Sequence, residues 1–166
     1  MVGGGCQKKL QYAVFYLIIS NTGEWMDAEI SWSIPADSAE LAGVRARLRA
    51  ILGSAGFDDK AVGEVLLAVD ERLSNIIRHA YAGRREGRID LKVFFQPHQA
   101  RISVRDYGER FNPLKAPLPQ LPPTQPGGLG NFLTRALMDE VHYDETCTDG
   151  NLLHLIKYLK NKKPAA

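Results

Sequence analysis

The sequence predicts a two-layer α/β sandwich: a mixed, mainly antiparallel sheet with its helices gathered on one face. Three observations predict it. Several short segments alternate apolar and polar residues, the period of a half-buried strand. Two long segments instead carry apolar residues at helical spacing. The links between the later strands are hairpin-short, and few helices follow them, so the helices must collect on one side of the sheet. The 166 residues are one domain's worth and long enough to bury a core.

Each element is justified in order. Ile30, Trp32 and Ile34 share one parity across Glu29 to Ile34, a strand that Pro35 ends. Asp37 or Ser38 can cap a helix running to about Leu52, closed by Gly53 to Gly56. Asp58 or Asp59 caps a second helix reaching Ala82, with Val62, Val65, Leu66, Val69, Leu73, Ile76, Ile77 and Ala80 as its apolar stripe. Gly83 to Gly87 is a turn. Ile89, Leu91, Val93 and Phe95 alternate as a strand, and Pro97-His98 turns the chain into the next, Ala100 to Asp106. Phe111 to Pro126 is rich in proline and reads as a loop. A helix follows from about Gly128 to Met138, anchored by Leu129, Phe132, Leu133, Ala136 and Leu137. Val141 to Tyr143 and Leu152 to Leu159 are two closing strands, with Asp149-Gly150 as a tight turn.

Composition narrows the function classes. A net charge of +2 is too near neutral to argue for direct nucleic-acid binding. The basic residues Lys157, Lys160, Lys162 and Lys163 read as a solvated tail. Cys6 and Cys147 make no disulfide framework and suit a reducing, cytoplasmic setting. Lys8 and Lys9 precede an apolar run, Leu10 to Ile19, that is too short to span a bilayer and lacks a small-residue cleavage site. Residues 1–25 are therefore expected to be a leader of doubtful status, with translation beginning at Met26. A domain over 26–160 and a basic tail over 161–166 follow.

Three constellations carry chemistry. Glu71 and Asn75 are four apart and stack on one helix face, roughly opposite the apolar stripe. A solvated polar face is one reading. The other is a pocket in which the Asn75 amide oxygen suits Mg²⁺ and Glu71 acts as a general base. Asp106 shares strand parity with Ile102 and Val104, so its carboxylate points to the apolar side and needs a donor. It either caps the turn or accepts from a ligand such as an adenine amino group, with Gly108 permitting close approach of a flat ring. Lastly, Gly127, Gly128 and Gly130 stand where a helix begins. Free N–H groups and a partial positive charge there suit phosphates, and glycine keeps side chains out of the way. No Walker lysine and no dinucleotide fingerprint is present.

In this order, "AVDERLSNIIRHAY", "VRDYGERFNP" and "GGLGNFLTRALMDEV" resemble the three nucleotide-site motifs of the GHKL (Bergerat-fold) ATPases. More narrowly, they resemble the anti-sigma-factor serine/threonine kinases, over roughly Ile30 to Leu159. The resemblance implies ATP bound with Mg²⁺ between the helical layer and a lid formed by Leu114 to Pro126. It implies that Asn75 ligates Mg²⁺, that Glu71 is the general base, and that Asp106 accepts from adenine with Gly108 beside the base. The Gly127–Gly130 segment, with Gly127, Gly128, Leu129 and Gly130, would line the phosphates. Arg78 and His79, one turn beyond Asn75, would approach the phosphates or the lid. Asn151 stands after Gly150 where the family often has Thr near the adenine. The implied partners are a sigma factor and a small anti-sigma-factor antagonist protein, with homodimer formation and no membrane or nucleic acid. The alternative is a nucleotide-binding module that sequesters a partner without phosphoryl transfer. The ATPase half of a histidine kinase is a weaker alternative, since no phospho-accepting helical hairpin stands ahead of these motifs.

Overall fold

A computed structural model describes residues 28–81, 87–115 and 129–159. Five strands form one sheet in the order β1-β2-β3-β5-β4. They are β1 (Ala28–Pro35), β2 (Arg88–Gln96), β3 (Gln99–Asp106), β4 (Glu140–Tyr143) and β5 (Asn151–Tyr158). Every pairing is antiparallel, so the sheet predicted as mixed is wholly antiparallel among the described residues. Three helices cover one face: α1 (Leu41–Ser54), α2 (Asp59–Asn75) and α3 (Leu129–Leu137).

Strand periodicity decides which face the helices take. Ile89, Leu91, Val93 and Phe95 are fully buried, as are Ala100, Ile102 and Val104 opposite them. They pack with Val44, Leu48 and Leu52 of α1 and Val65, Val69 and Leu73 of α2 in one continuous core. Each such aliphatic side chain contributes roughly 1.5–3 kcal/mol on burial. The alternate residues Asp90, Lys92, Arg101 and Arg105 face away from the core and remain at least partly exposed.

The helix ends follow local chemistry. The Asp58 carboxylate accepts from the Ala61 N–H at 2.7 Å and caps α2. Asp37 accepts from the Ala39 N–H ahead of α1, with a short 3₁₀ turn, Ser38–Glu40, between them. The second helix does not run evenly to its predicted end. After Asn75 it widens into a π-helical turn, Ile76–Ala80, closed by the Tyr81 N–H on the Ile76 carbonyl. Such insertions concentrate at functional sites because they re-aim the side chains beside them. Tyr81 then ties this turn to the sheet: its hydroxyl donates to the Arg88 carbonyl at 2.7 Å and accepts from the Tyr107 N–H at 2.8 Å.

Three expectations need correcting. Lys157 is not part of a solvated tail. Its parity on β5 points it inward, where it is 2% exposed. The Nζ donates to the Leu137 carbonyl at 2.6 Å and pairs with Glu64 at 2.6 Å, so the charge is partnered in the low-dielectric interior. Lys160, Lys162 and Lys163 lie outside the described residues. The apolar stripe predicted for α3 is only partly buried: Phe132, Leu133 and Leu137 are half-buried and Ala136 is exposed, while Thr134 is the buried residue. The reason is placement, since α3 packs chiefly along α2. The β4–β5 link spans Asp144 to Gly150, longer than a two-residue hairpin, and ends on Gly150 at φ +87°. The leader over residues 1–25, the proposed start at Met26 and the tail over 161–166 lie outside the described residues.

Candidate nucleotide site

The C-terminal ends of α2 and β3, the start of α3 and the start of β5 converge on one cavity of about 530 Å³. Asn75, His79, Asp106, Gly130 and Asn151 line it, and Ile76 and Ala80 give it an apolar wall. Residues from three separated motifs, up to 59 positions apart in sequence from Arg72 to Asn131, thus share one space.

Gly130 explains how closely the two helices approach. A Cβ placed there would lie 2.6 Å from Glu71 Oε2 and 3.1 Å from Asn75 Nδ2. A side chain there would force the Glu71 carboxylate to move, so the first turn of α3 stands directly against the Glu71–Asn75 face. That face is therefore half-buried against α3 rather than fully solvated, although it lies away from the apolar stripe. Thr134 Oγ1 donates to the Gly130 carbonyl at 2.9 Å and steadies this turn. Gly127 and Gly128 lie outside the described residues, as do the side chain of Leu129 and lid residues 116–126.

Asp106 is fully buried, and its carboxylate is already engaged by protein. Oδ2 accepts from Arg72 Nη2 at 3.0 Å. Oδ1 accepts from Asn151 Nδ2 at 2.9 Å and from the Gly108 N–H at 3.1 Å. The Arg72 guanidinium is 6% exposed. Burial pushes its pKa below the usual range for arginine, and the Asp106 charge works in the opposite direction. Among the described residues the Arg72 side chain makes no other hydrogen bond, and its Nε has no partner.

Asn151 is a hub with no capacity to spare. It donates to Asp106 and to the Glu109 carbonyl at 2.9 Å, and accepts from the Phe111 N–H at 2.7 Å and the Tyr143 hydroxyl at 2.9 Å. It holds residues 109–111 over the cavity rim. Gly108 does not line the cavity; its close neighbour is Ala80, whose Cβ would stand 2.7 Å from an added Cβ. Arg78 is exposed and also stands off the cavity, whereas the neighbouring His79 lines it. Glu71 lies behind Asn75, against Gly130, without lining the cavity itself.

Sequence reasoning missed Arg72, Asn131 and Phe111, all on the cavity wall. Arg72 left a signal. Val65, Val69, Arg72 and Ile76 follow the four-three-four spacing of a buried stripe, so a charge stands where the pattern demands an apolar group. Nothing comparable marks Asn131 or Phe111, which reach the cavity through loop and helix placement.

The donor set fits a nucleotide with its metal. No group of three or more His, Cys, Asp or Glu side chains that could hold a metal occurs among the described residues. Asn75 brings one side-chain amide oxygen to the cavity, a hard-oxygen donor of the kind Mg²⁺ takes beside substrate phosphates.

Comparison with known proteins agrees. Residues 34–157 match the family model described as histidine kinase-like ATPase domain. The serine-protein kinase RsbW of Listeria monocytogenes is 29% identical, over 83% of this chain and 92% of that protein. The serine-protein kinase RsbW of Staphylococcus epidermidis is 30% identical, over 81% of this chain and 89% of that protein. A crystal structure of the RsbU and RsbW domains of a Mycobacterium tuberculosis protein shares the fold, with a TM-score of 0.58 at 22% identity. It covers 80% of this chain, which spans only 32% of that larger one. The chain belongs to the histidine kinase-like (GHKL) ATPase family and, within it, to the serine-protein kinase group that includes the RsbW proteins.

Proposed function

We propose that the chain phosphorylates a serine or threonine on a small antagonist protein with ATP and that the same domain holds a sigma factor inactive. Phosphorylating the antagonist would stop it from displacing the sigma factor. The observation that carries the reading is the meeting of Asn75, Asp106 and Gly130 around one cavity with Glu71 one helical turn behind.

The roles follow from position. Asn75 would hold Mg²⁺ through its amide oxygen. The backbone N–H groups at the start of α3, with Gly127, Gly128 and Gly130, would receive the phosphates. Asp106 and Arg72 would face the base, while Asn151 keeps the Asp106 carboxylate oriented. His79, on the cavity wall, would approach the phosphates. The Glu71 carboxylate would take the proton from the attacking hydroxyl. Bound Mg²⁺ supplies neutralisation of phosphate charge, and positioning by the protein does most of the remaining work in such transfers.

Glu71→Ala should keep ATP binding and lose transfer of labelled phosphate to the purified antagonist. Transfer at the wild-type rate would show that Glu71 is not the base. The alternative is a nucleotide-binding module that sequesters its partner without phosphoryl transfer. The wild-type transfer assay separates the two directly. Homodimer formation is part of the proposal and is read by sedimentation. A cytoplasmic location is also part of the proposal; no helix among the described residues is long and apolar enough to cross a membrane.

A further inference from the structure

We propose that Arg72 selects the purine, opening the base position to guanine nucleotides as well as adenine nucleotides. The inference rests on the nucleotide-binding reading above.

A carboxylate alone offers a base only lone pairs. It accepts from an amino group and repels a carbonyl oxygen, so it would favour adenine, with its exocyclic amine, over guanine, with O6 at the same position. Asp106 is not alone. Arg72 Nη2 lies 3.0 Å from Oδ2 in a pair whose side chains are 7% and 1% exposed. The carboxylate's charge is thereby offset at the place where a base edge would meet it.

Arg72 also has donors to give. Its guanidinium lines the cavity, and among the described residues it spends a single N–H, the one on Asp106. The Nε is enclosed by protein, so the donors left for a ligand are those of the two terminal nitrogens, Nη1 and the second N–H of Nη2. The acceptors on a purine edge are N7 and O6 of guanine and N1 and N7 of adenine. The planar fork of arginine matches O6 and N7 of guanine best. Asp106 Oδ2, which accepts once, keeps capacity for a base N–H beside it.

Two neighbouring polar groups of the wall, Asn151 and Arg110, are committed elsewhere. Asn151 has all its donors and acceptors committed within the protein. Arg110 is drawn to the Glu145 carbonyl and carboxylate at 3.2 and 3.7 Å. Discrimination between purines therefore falls to the Arg72–Asp106 pair.

The test is calorimetric titration of Mg·ATP, Mg·GTP and Mg·ITP into the wild-type chain and into Arg72→Lys. ITP carries O6 without the guanine amino group and isolates the oxygen contact. Lysine keeps the charge that Asp106 needs but loses the fork, and a thermal melt checks that the variant folds. Wild-type affinities for GTP and ITP within about tenfold of that for ATP are expected, and Arg72→Lys should weaken GTP and ITP by about tenfold or more relative to ATP. Tight ATP binding with GTP and ITP more than about 100-fold weaker would overturn the proposal. So would an ATP-to-GTP ratio unchanged in Arg72→Lys. If the folded wild-type chain bound none of the three, the nucleotide-binding reading itself would fall.

Discussion

Gly130→Ala separates stability from chemistry at one atom. The new methyl would sit 2.6 Å from Glu71 Oε2, and ordinary contact begins at 3.4 Å, so the carboxylate must retreat by about 0.8 Å. That oxygen ends a flexible side chain and can move by torsion at little cost. Alanine also raises helix propensity over glycine, by up to about 1 kcal/mol in a helix interior and less in a first turn. The melting temperature should therefore hold or rise slightly. Chemistry responds differently, because displacing a reacting group by about 1 Å can cost on the order of 10²-fold in rate. Asn75 Nδ2, at 3.1 Å from the same methyl, is crowded too, so a smaller loss of nucleotide affinity should accompany the fall in rate. The assay is single-turnover transfer of labelled phosphate to purified antagonist, beside a thermal melt of the same preparation. Transfer within about twofold of wild type in a folded variant would refute the placement of Glu71 against the start of α3.

Two further outcomes test the frame around the site. Lys157→Met should cost about 2 kcal/mol in urea unfolding, below the ~3–5 kcal/mol of a fully buried broken pair because Glu64 is still 20% exposed; an unchanged midpoint would mean that the buried lysine contributes nothing. Burial pushes the His154 imidazole, 2.8 Å from Ser103 Oγ, below its ordinary value, and Arg101 adds to the shift. A depressed folded-state pKa gives stability that is present above the unfolded-state value and lost as pH falls through the folded one. His154→Gln should accordingly flatten the decline in melting temperature between about pH 7 and about pH 5. An identical slope in both proteins would contradict it.

Much of the fold was legible because strand parity is a strong signal. Ile89, Leu91, Val93 and Phe95 announce a buried face whatever surrounds them, and the same parity aimed Asp106 inward. Lys157 obeys that rule too, yet was read as tail because charge near a chain end usually means solvent; only the tertiary positions of Glu64 and Leu137 make its burial tolerable. Periodicity found α2 but not its π-helical turn, which depends on backbone hydrogen bonding that no residue type marks. The site was legible in parts. Asn75, Asp106 and Gly130 could be named from their chemistry, whereas the engagement of Asp106 by Arg72 is a contact across 34 positions that spacing alone does not reveal.

The central claim is that Asn75, Asp106 and the start of α3 enclose one magnesium-bound nucleotide. Calorimetric titration of ATP into the wild-type chain and Asn75→Ala, each with Mg²⁺ and with EDTA, tests it most directly. The account predicts that Mg²⁺ strengthens ATP binding in the wild-type chain and that Asn75→Ala abolishes the gain. No heat in the wild-type chain, or the same magnesium dependence in both proteins, would contradict it.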